Sequence, residues 1–153
     1  MLENIKALVM DFDGVFTDNR VLVFDDGREA VFVSRSDGMG ISILRKLDFP
    51  MIVISTERNA VVTIRCEKLA LECVQGVDDK LPVLREWAQN KSIDLQDVAY
   101  VGNDVNDAEC MDAVGVAIAV ADAHPSALGI ANLVLSASGG QGAIREVVDM
   151  IIK

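Results

Sequence analysis

The stretch ALVMDFDGVFTD, residues 7–18, decides the fold, because an apolar run ends in it at two carboxylates, Asp11 and Asp13, with Gly14 directly behind them. A short, continuous apolar run is typical of a parallel strand that is buried on both faces. Two carboxylates at the end of such a strand are costly to bury unless they bind something. The stretch therefore predicts a buried strand and a binding site where that strand ends.

The same kind of apolar run recurs along the chain and alternates with helical periodicity. Apolar side chains spaced three and four residues apart form helix faces between the runs. This alternation predicts an α/β domain with a doubly wound, Rossmann-like parallel sheet and right-handed crossovers. The later strands are predicted at 51–55, 98–102, 116–120 and 132–136, and the helix faces contain Ile41, Leu44 and Leu47; Leu81, Leu84 and Ala88; and Ile144, Val147, Val148 and Ile151.

The segment VLVFDDGREAVFV, residues 21–33, interrupts the alternation, since a helix is due after the first strand. Two β-rich runs flank Asp26 and Gly27, and this pattern predicts a β-hairpin over about residues 20–34. One interpretation is an ordinary surface hairpin. The other is a flap over the site or an oligomer contact, because a lone hairpin cannot bury its apolar face. That face contains Val21, Val23, Val31 and Val33.

Composition and charge limit the possible functions. The chain has 153 residues, 51% of them hydrophobic, which fits a single domain, 1–153, with a substantial core. A net charge of −10 argues against nucleic acid and anionic membranes as partners. The sequence has neither an apolar run long enough to span a bilayer nor an export signal. Because Cys66, Cys73 and Cys110 lack metal-site spacing, we expect reduced thiols in a cytoplasmic protein.

Polar side chains follow the predicted strands, at the edge of the sheet where open α/β folds bind their ligands. They carry carboxylates, hydroxyls, an amide and a lysine, so we expect anionic and cationic groups to converge there. The residues are Asp11 and Asp13 after the first strand, Ser55, Thr56 and Glu57 after the second, Lys80 in the run 78–80, and Asn103, Asp104 and Asp107 after the strand at 98–102.

In this order the residues resemble the four motifs of the haloacid dehalogenase superfamily of phosphotransferases: DxDGVxTD at 11–18, Ser55, Lys80 and NDVND at 103–107. The resemblance runs the length of the chain. It implies that Asp11 attacks phosphorus and forms an aspartyl-phosphate, which divides a difficult hydrolysis into two steps. It also implies that Asp13 protonates the leaving alcohol and then activates water.

The resemblance further implies a phosphate site and a Mg²⁺ site. Side chains and backbone N–H groups around Gly14 would hold the phosphoryl oxygens. A Mg²⁺ ion would bridge Asp11, the main-chain carbonyl of Asp13 and the fourth motif, and would offset the repulsion between carboxylate and phosphate. The implied phosphate-binding side chains are Ser55, Thr56 and Lys80.

The fourth motif departs from the common pattern, in which aspartate follows the glycine, because Asn103 stands at that place. An amide oxygen can coordinate Mg²⁺ but removes one negative charge from the site. Either Asn103 is the ligand and the metal binds more weakly, or Asp104 takes over, directly or through water.

Within the superfamily, the chain resembles a small capless group that acts on phosphates of eight- and nine-carbon sugar acids. That resemblance implies no inserted cap domain and a homotetramer in which neighbouring hairpins and glycine-rich C-terminal tails close the site. The same domain also occurs fused to acylneuraminate cytidylyltransferases. The supporting segments are DGVFTD at 13–18, SDGMGI at 36–41, VADAHP at 120–125 and GGQGAIREV at 139–147.

The residues around Glu57 bear on the substrate. Octulosonate 8-phosphate phosphatases resemble one another in having arginine at this place, whereas Glu57 with Arg65 and Lys68 resembles the nonulosonate (sialic acid-type) 9-phosphate class. A cation at 65 or 68 can meet the sugar-acid carboxylate, and Glu57 can accept hydrogen bonds from hydroxyls. Two alternatives stay open: an octulosonate 8-phosphate phosphatase, and a weakly active or non-catalytic tetramerisation domain associated with a CMP-sialic acid synthetase.

Overall fold

A six-stranded parallel sheet forms the centre of the computed structural model, which describes residues 2–153. The sheet order is β5-β4-β1-β6-β7-β8, so the winding reverses between β1 and β6, as in a doubly wound fold. This confirms the predicted fold class. The strands are β1 (Ala7–Met10), the hairpin strands β2 (Leu22–Val23) and β3 (Glu29–Ala30), β4 (Met51–Ile54), β5 (Glu72–Val74), β6 (Val98–Gly102), β7 (Val116–Ala119) and β8 (Leu133–Val134).

Six α-helices of the described residues cover the two faces of the sheet. One group contains α1 packed on α2 and α6, and the other contains α3 packed on α4 and α4 on α5. The helices are α1 (Arg35–Lys46), α2 (Val61–Leu69), α3 (Lys80–Asn90), α4 (Ala108–Ala113), α5 (Pro125–Ile130) and α6 (Ala143–Ile151). Within residues 2–153, none of the helices has the length and apolarity that a bilayer crossing requires.

The central position of β1 in the sheet explains why its sequence shows no alternation of polar and apolar residues. It pairs with β4 on one side and β6 on the other, with Val9 opposite Ile52 and Tyr100. All four of its residues are buried, because helices cover both faces of the sheet. The loop that follows is anchored in the same core by Phe12 and Phe16, whose rings stack with centroids 5.5 Å apart.

The structure differs from the sequence-based prediction in three elements. Strand β5 was not predicted, because it is a three-residue edge strand whose Glu72 and Val74 are exposed. Strand β8 has two residues where five were expected. Leu47 was assigned to the apolar face of a helix, but α1 ends at Lys46 and the Leu47 side chain is 64% exposed.

The predicted hairpin forms, with shorter strands than expected. Phe24 and Arg28 close a three-residue turn through the Phe24 N–H and the Arg28 carbonyl, 2.9 Å apart, and Gly27 takes a positive φ of 87° within it. Val31 and Val33 pack against the core, whereas Val21 and Val23 are more than half exposed. The apolar face of the hairpin is therefore only half buried within one chain.

Candidate active site

The loop after β1 is held by its own backbone. The N–H groups of Val15, Phe16 and Thr17 all donate to the carbonyl of Phe12, at 2.9–3.3 Å. The Asp11 N–H donates to the carbonyl of Val101 on β6 at 3.0 Å, so the loop starts in register with the sheet. These main-chain bonds fix the backbone from which the Asp11 and Asp13 side chains extend.

Gly14 is required at the centre of this loop. Its φ is 81°, a left-handed conformation that side chains with a Cβ rarely adopt. A Cβ there would also lie 2.6 Å from the Asn103 Cγ, so the loop after β1 and the loop after β6 touch at this point. The Gly14 N–H donates to the buried hydroxyl of Thr17 at 3.0 Å. Phosphate binding by Gly14 itself stays a prediction.

Lys80 joins the loop after β1 to the fourth motif. Its Nζ lies 2.8 Å from Asp11 Oδ1 and 2.8 Å from Asp107 Oδ1, and all three side chains are buried. Asp107 also accepts hydrogen bonds from the Tyr100 hydroxyl at 2.7 Å and from the Asn103 N–H at 2.8 Å. We call Asp11, Lys80, Asn103 and Asp107 the catalytic edge. Every carboxylate of this edge has partners, which is the condition for burying charge.

Burial and the neighbouring charges shift the pKa values at the catalytic edge. Burial raises the pKa of the Asp11 carboxyl to about 7, with a further rise from Asp107 and an opposing effect of Lys80. Burial alone would lower the pKa of the Lys80 ammonium, but the charges of Asp11 and Asp107 outweigh burial and raise it. Lys80 therefore stays cationic at neutral pH, as a phosphate-binding group must.

Asp13 lies at the mouth of the site, half-buried, two residues after Asp11. Burial raises the pKa of its carboxyl, the charge of Glu57 raises it further, and Lys80 acts in the opposite direction. A raised pKa favours the protonated form, which a general acid needs before it donates to a leaving group.

Three oxygen positions converge beside Asp11. The end of the Asn103 amide that faces the loop lies 3.2 Å from Asp11 Oδ2 and 3.0 Å from the main-chain oxygen of Asp13. If that end is the NH₂ group, it donates to both; if it is the oxygen, three acceptors face one another. Adjacent ligands of an octahedral Mg²⁺ with bonds of 2.0–2.1 Å are about 3 Å apart, so the three positions fit the oxygen set of such an ion.

Asp104 lies at the rim of this oxygen set. Its Oδ1 accepts a hydrogen bond from the Val105 N–H at 2.7 Å, and it caps a short 3₁₀ turn together with Asp107. Residues 2–153 contain no cluster of three or more carboxylate, imidazole or thiol side chains that could hold a metal ion. The oxygen set is consistent with this, because it uses an amide and a main-chain carbonyl beside a single carboxylate.

Two adjoining cavities lie over the catalytic edge. The inner cavity has a volume of ≈ 100 Å³ and the outer one ≈ 280 Å³, and they share Asp13, Asn19 and Thr56. The inner cavity is further lined by Asp11, Ser55, Asn103, Asp104 and Asn106. The outer cavity is further lined by Arg20, Val21, Glu29, Glu57, Val31, Asn59 and Val61. A group bound at Asp11 can therefore continue past Asp13 into the larger space.

Ser55 and Thr56 follow β4 and face the inner cavity, as the sequence predicts. The buried Ser55 hydroxyl accepts a hydrogen bond from the Glu57 N–H at 3.1 Å and can still donate its own proton. Helix α2 begins only at Val61, so Ser55 does not cap it. Its hydroxyl is therefore available to a ligand in the inner cavity.

Glu57 belongs to the wall of the outer cavity. Its Oε1 accepts hydrogen bonds from the N–H groups of Arg58 at 2.7 Å and Asn59 at 2.8 Å. Asn59 in turn donates to Glu29 on the hairpin at 2.8 Å, so the hairpin and the loop after β4 form one continuous wall. We call residues 19–31 of this wall the hairpin wall.

Arg65 and Lys68 are placed away from the cavities of their own chain. Arg65 is partly buried, and its Nη2 lies 3.5 Å from the carbonyl of Ser34, just before α1. Lys68 is exposed on the same helix, α2, and neither residue lines the outer cavity. Glu57 precedes that helix, so the three residues do not share a helix face.

Sequence reasoning left two kinds of residue out of the site: a buried hydrogen-bond partner of Asp107, and residues in or just before the hairpin. Tyr100 sits inside the apolar run of β6, and only its hydroxyl bond to Asp107 distinguishes it from a core residue. Asn19 and Arg20 come after the first motif, in a segment interpreted as hairpin. Arg20 is the basic residue that lines the outer cavity, and it is paired with Asp18 at 2.8 Å.

Comparison with known proteins identifies the family. A family model described as haloacid dehalogenase-like hydrolase matches residues 51–146, more than half of the chain. The chain belongs to the haloacid dehalogenase-like hydrolases. The resemblance drawn from the four motifs is thereby confirmed, and so is the prediction of a phosphatase of this family, given the relatives described next.

The similar proteins include phosphatases of a sugar-acid phosphate. The 3-deoxy-D-manno-octulosonate 8-phosphate phosphatase of Escherichia coli K12 is 35% identical over 151 residues, covering 98% of this chain and 80% of that protein. A putative HAD family hydrolase from Streptomyces avermitilis matches with a TM-score of 0.96 and 47% identity, covering 99% of this chain and 87% of that one.

A third relative was solved with ligands. The 3-deoxy-D-manno-octulosonate 8-phosphate phosphatase of Moraxella catarrhalis, in complex with magnesium ion, phosphate ion and a KDO molecule, matches with a TM-score of 0.94 and 28% identity. The match covers 99% of this chain and 87% of that one. The magnesium ion of that complex agrees with the predicted cofactor.

Proposed function

We propose that the chain is a Mg²⁺-dependent phosphomonoesterase that hydrolyses the phosphate ester of a long-chain sugar acid through an aspartyl-phosphate. The observation that carries the proposal is the catalytic edge, where the buried Asp11 carboxylate meets Lys80 at 2.8 Å and the converging oxygens of Asn103 and Asp13. A nucleophile after β1, a cation at the start of α3 and an oxygen set shared by the loops after β1 and β6 thus meet at one edge of the sheet. The prediction that the chain forms a single domain is part of this proposal.

The two half-reactions use Asp11 and Asp13 in turn. An Asp11 oxygen attacks phosphorus, the ester P–O bond breaks, and the proton of Asp13 passes to the leaving sugar oxygen. Asp13 then takes a proton from a water molecule, whose oxygen attacks the phosphorus of the aspartyl-phosphate. Inorganic phosphate leaves, and Asp11 is again a carboxylate. Asp13 suits both steps because its pKa is raised and it lies where the inner and outer cavities join.

Lys80 and Ser55 hold the phosphoryl group during both steps. The Lys80 ammonium offers a compact positive charge 2.8 Å from Asp11, and the Ser55 hydroxyl offers a donor in the lining of the inner cavity. Asp11, Asn103 and the Asp13 carbonyl would hold Mg²⁺, which when bound neutralises the negative charge of carboxylate and phosphate so that they can approach each other.

The nine-carbon, nonulosonate-type substrate is supported by Glu57. Its Oε1 accepts from two backbone N–H groups of its own loop, and Glu57 lines the outer cavity, so its second oxygen can serve as an acceptor for sugar hydroxyls. An eight-carbon octulosonate 8-phosphate is the second candidate, because the Escherichia coli and Moraxella relatives are named for it.

The predicted homotetramer is supported by the exposed apolar residues of the hairpin. Leu22, Val23 and Phe32 are 57%, 61% and 78% exposed. Exposed apolar side chains that lie together in this way are typical of a protein–protein contact. A substrate-binding role for Arg65 and Lys68 would need a neighbouring copy, since neither lines the cavity of its own chain. Light scattering after gel filtration measures the assembly, and a monomer would contradict this part of the proposal.

The test is phosphate release in Mg²⁺ from a nonulosonate 9-phosphate, an octulosonate 8-phosphate and a generic aryl phosphate. We expect turnover of all three with preference for the nine-carbon substrate, and a loss of more than about 10³-fold in kcat for Asp11→Asn. Preference for the eight-carbon substrate would contradict the nonulosonate substrate that we infer from Glu57, but it would leave the proposed mechanism unchanged. A folded wild-type protein with no turnover in saturating Mg²⁺ would contradict catalysis and favour a tetramerisation role.

A further inference from the structure

Gly139, far from Asp11 in sequence, packs directly against the loop that carries Asp13. A Cβ added to Gly139 would collide with the carbonyl group of Gly14, lying 2.5 Å from its carbon, and would lie 2.8 Å from the carbonyl oxygen of Thr17. The Asn103 side chain also contacts Gly14, because its Cγ lies 2.6 Å from the position of a Cβ there. Gly14 is thus in close contact with both Asn103 and Gly139.

The segment around Gly139 cannot move back to relieve such a collision without losing hydrogen bonds. The Gly139 N–H donates to Asp122 Oδ1 at 3.0 Å, and the Gly140 N–H donates to the carbonyl of Val15 at 3.0 Å. The Glu146 carboxylate accepts from the N–H groups of Ser136 at 3.0 Å and Ala137 at 2.8 Å. Gly139 is therefore held against the loop of its own chain; the role in a neighbour's site that the resemblance implies for the glycine-rich tail stays a prediction.

We propose that Gly139 is a positioning residue for the Mg²⁺ site, because its contact with Gly14 sets where the Asp13 carbonyl lies relative to Asp11 and Asn103. The inference rests on the proposed function. The Gly14 carbonyl that Gly139 contacts and the Asp13 carbonyl lie in successive planar peptide units that share the Gly14 Cα, so a shift of Gly14 displaces the Asp13 carbonyl through that shared atom. A shift of about 0.5 Å is enough to spoil a constellation of this kind.

We expect a substitution of Gly139 to change Mg²⁺ binding more than it changes the stability of the fold. The three oxygens that would hold Mg²⁺ come from two loops, and Gly139 supports only the loop of Asp13. Octahedral Mg²⁺ tolerates little departure from its ligand geometry. Replacing a residue that orients a metal ligand commonly weakens metal binding by about 10- to 100-fold.

The experiment measures Mg²⁺ affinity without substrate, from the rise in unfolding temperature during a Mg²⁺ titration and from calorimetry. We expect Gly139→Ala to weaken Mg²⁺ binding at least about tenfold. The matched control is Gly129→Ala on α5, because a Cβ at Gly129 meets nothing within 4 Å among the described residues. That control should keep the wild-type affinity. A folded Gly139→Ala protein that binds Mg²⁺ within about twofold of wild type would overturn the inference.

A second pair of variants decides the matter if Gly139→Ala does not fold. Asp122→Ala removes the bond that holds the Gly139 N–H but introduces no collision, and Asp122 is exposed. We expect about a threefold weaker Mg²⁺ affinity, against no change for the exposed Asp112→Ala on α4. Equal affinities in the two variants would overturn the inference. Because the readout is metal binding, it is separate from the failure of the proposed function, which is the absence of phosphate release by the wild-type protein.

Discussion

The catalytic edge and the hairpin wall meet at the two cavities, yet they differ in how completely one chain builds them. The four residues of the catalytic edge are at most 6% exposed, and Lys80 holds Asp11 and Asp107 at 2.8 Å each. In the hairpin wall, Val21, Leu22 and Val23 are 51–61% exposed. One chain therefore completes the proposed phosphate-handling groups, while the proposed sugar-binding wall stays open to solvent or to another copy.

The ion pairs of the two regions differ in the same sense. Arg20 and Asp18, and likewise Arg28 and Asp26, pair with a near neighbour at 2.8 Å, and both arginines are more than 70% exposed. Such exposed pairs contribute little to stability, because water and salt screen them. Removing one partner of a buried pair is far more damaging, because the other charge is left without compensation. The comparison predicts large effects at the edge and small ones at the wall.

The largest effect is expected for Lys80→Met at the catalytic edge. It leaves Asp11 and Asp107 buried beside each other without a cation, so we expect a loss of about 3–5 kcal/mol in the free energy of unfolding. Phosphate release should fall at least about 100-fold, since the cation that we propose holds the phosphoryl oxygens is gone. Urea unfolding and steady-state kinetics measure the two losses.

The control for Lys80→Met is Lys6→Met. Lys6 pairs with Asp97 at 2.6 Å, but its side chain is 66% exposed. We expect little change in the free energy of unfolding and unaltered kinetics, because the exposed pair is screened by solvent. Comparable losses of stability in the two variants would contradict the contrast between buried and exposed pairs.

Asp37 extends the comparison to a buried charge outside the catalytic edge. Its Oδ1 accepts the Arg145 N–H of α6 at 2.9 Å, while its Oδ2 has no hydrogen-bond partner within residues 2–153. Burial raises the pKa of this carboxyl to about 6, against the opposing effect of the Arg145 and Ile144 N–H groups and of Arg65. The folded protein therefore binds the proton more tightly than the unfolded chain does.

The raised pKa of Asp37 fixes the sign of its pH dependence. Its contribution to stability is fully present below about pH 4 and is lost as the pH rises through about 6. We expect Asp37→Asn, which keeps an acceptor for Arg145 but cannot ionise, to be more stable than wild type by on the order of 2 kcal/mol at pH 8. Urea unfolding at pH 4, 6 and 8 should show this gain vanish at pH 4. A gain that grows as the pH falls would contradict the assignment.

Asn103→Asp tests the oxygen set of the catalytic edge directly. Without metal, a carboxylate at this position faces Asp11 Oδ2 and the Asp13 carbonyl, to which the Asn103 amide can donate. In a chelator, we expect the variant to unfold at a lower temperature than wild type, with a free energy of unfolding about 1–2 kcal/mol smaller. We also expect about tenfold tighter Mg²⁺ binding, because a negative ligand is added. Unfolding temperatures with and without Mg²⁺ measure both. An unchanged response to Mg²⁺ would favour Asp104 as the ligand.

Sequence reasoning located the catalytic edge because a rule of topology applies to it. Parallel strands bring their carboxyl ends to one edge, so Asp11, Ser55 and Asn103 could be placed together from the ends of apolar runs. The partner of a buried charge carries no such signal. Tyr100 resembles a core residue until its hydroxyl is seen to donate to Asp107 at 2.7 Å.

The position of the hairpin wall in the sequence could be predicted, but its contacts with the rest of the molecule could not. Asp26 and Gly27 marked its turn, yet the bond from Asn59 to Glu29 that joins it to the loop after β4 spans 30 residues and follows no local pattern. The position of Arg65 was missed for a related reason, because periodicity gives the face of a helix and not the neighbour it packs on. The shape of the outer cavity therefore depends on contacts between loops that are distant in sequence.

The smallest effect is expected for Glu57→Gln in the wall of the outer cavity. Glutamine keeps the acceptor for the Arg58 and Asn59 N–H groups, so the loop should hold its shape while one acceptor and one negative charge are lost to the cavity. We expect kcat/KM for a nonulosonate 9-phosphate to fall about three- to tenfold, which corresponds to the net contribution of one typical hydrogen bond, about 1 kcal/mol. Turnover of an aryl phosphate, which lacks those hydroxyls, should not change. An equal loss on both substrates would place the effect of Glu57 on Asp13, whose pKa its charge raises, and not on the sugar.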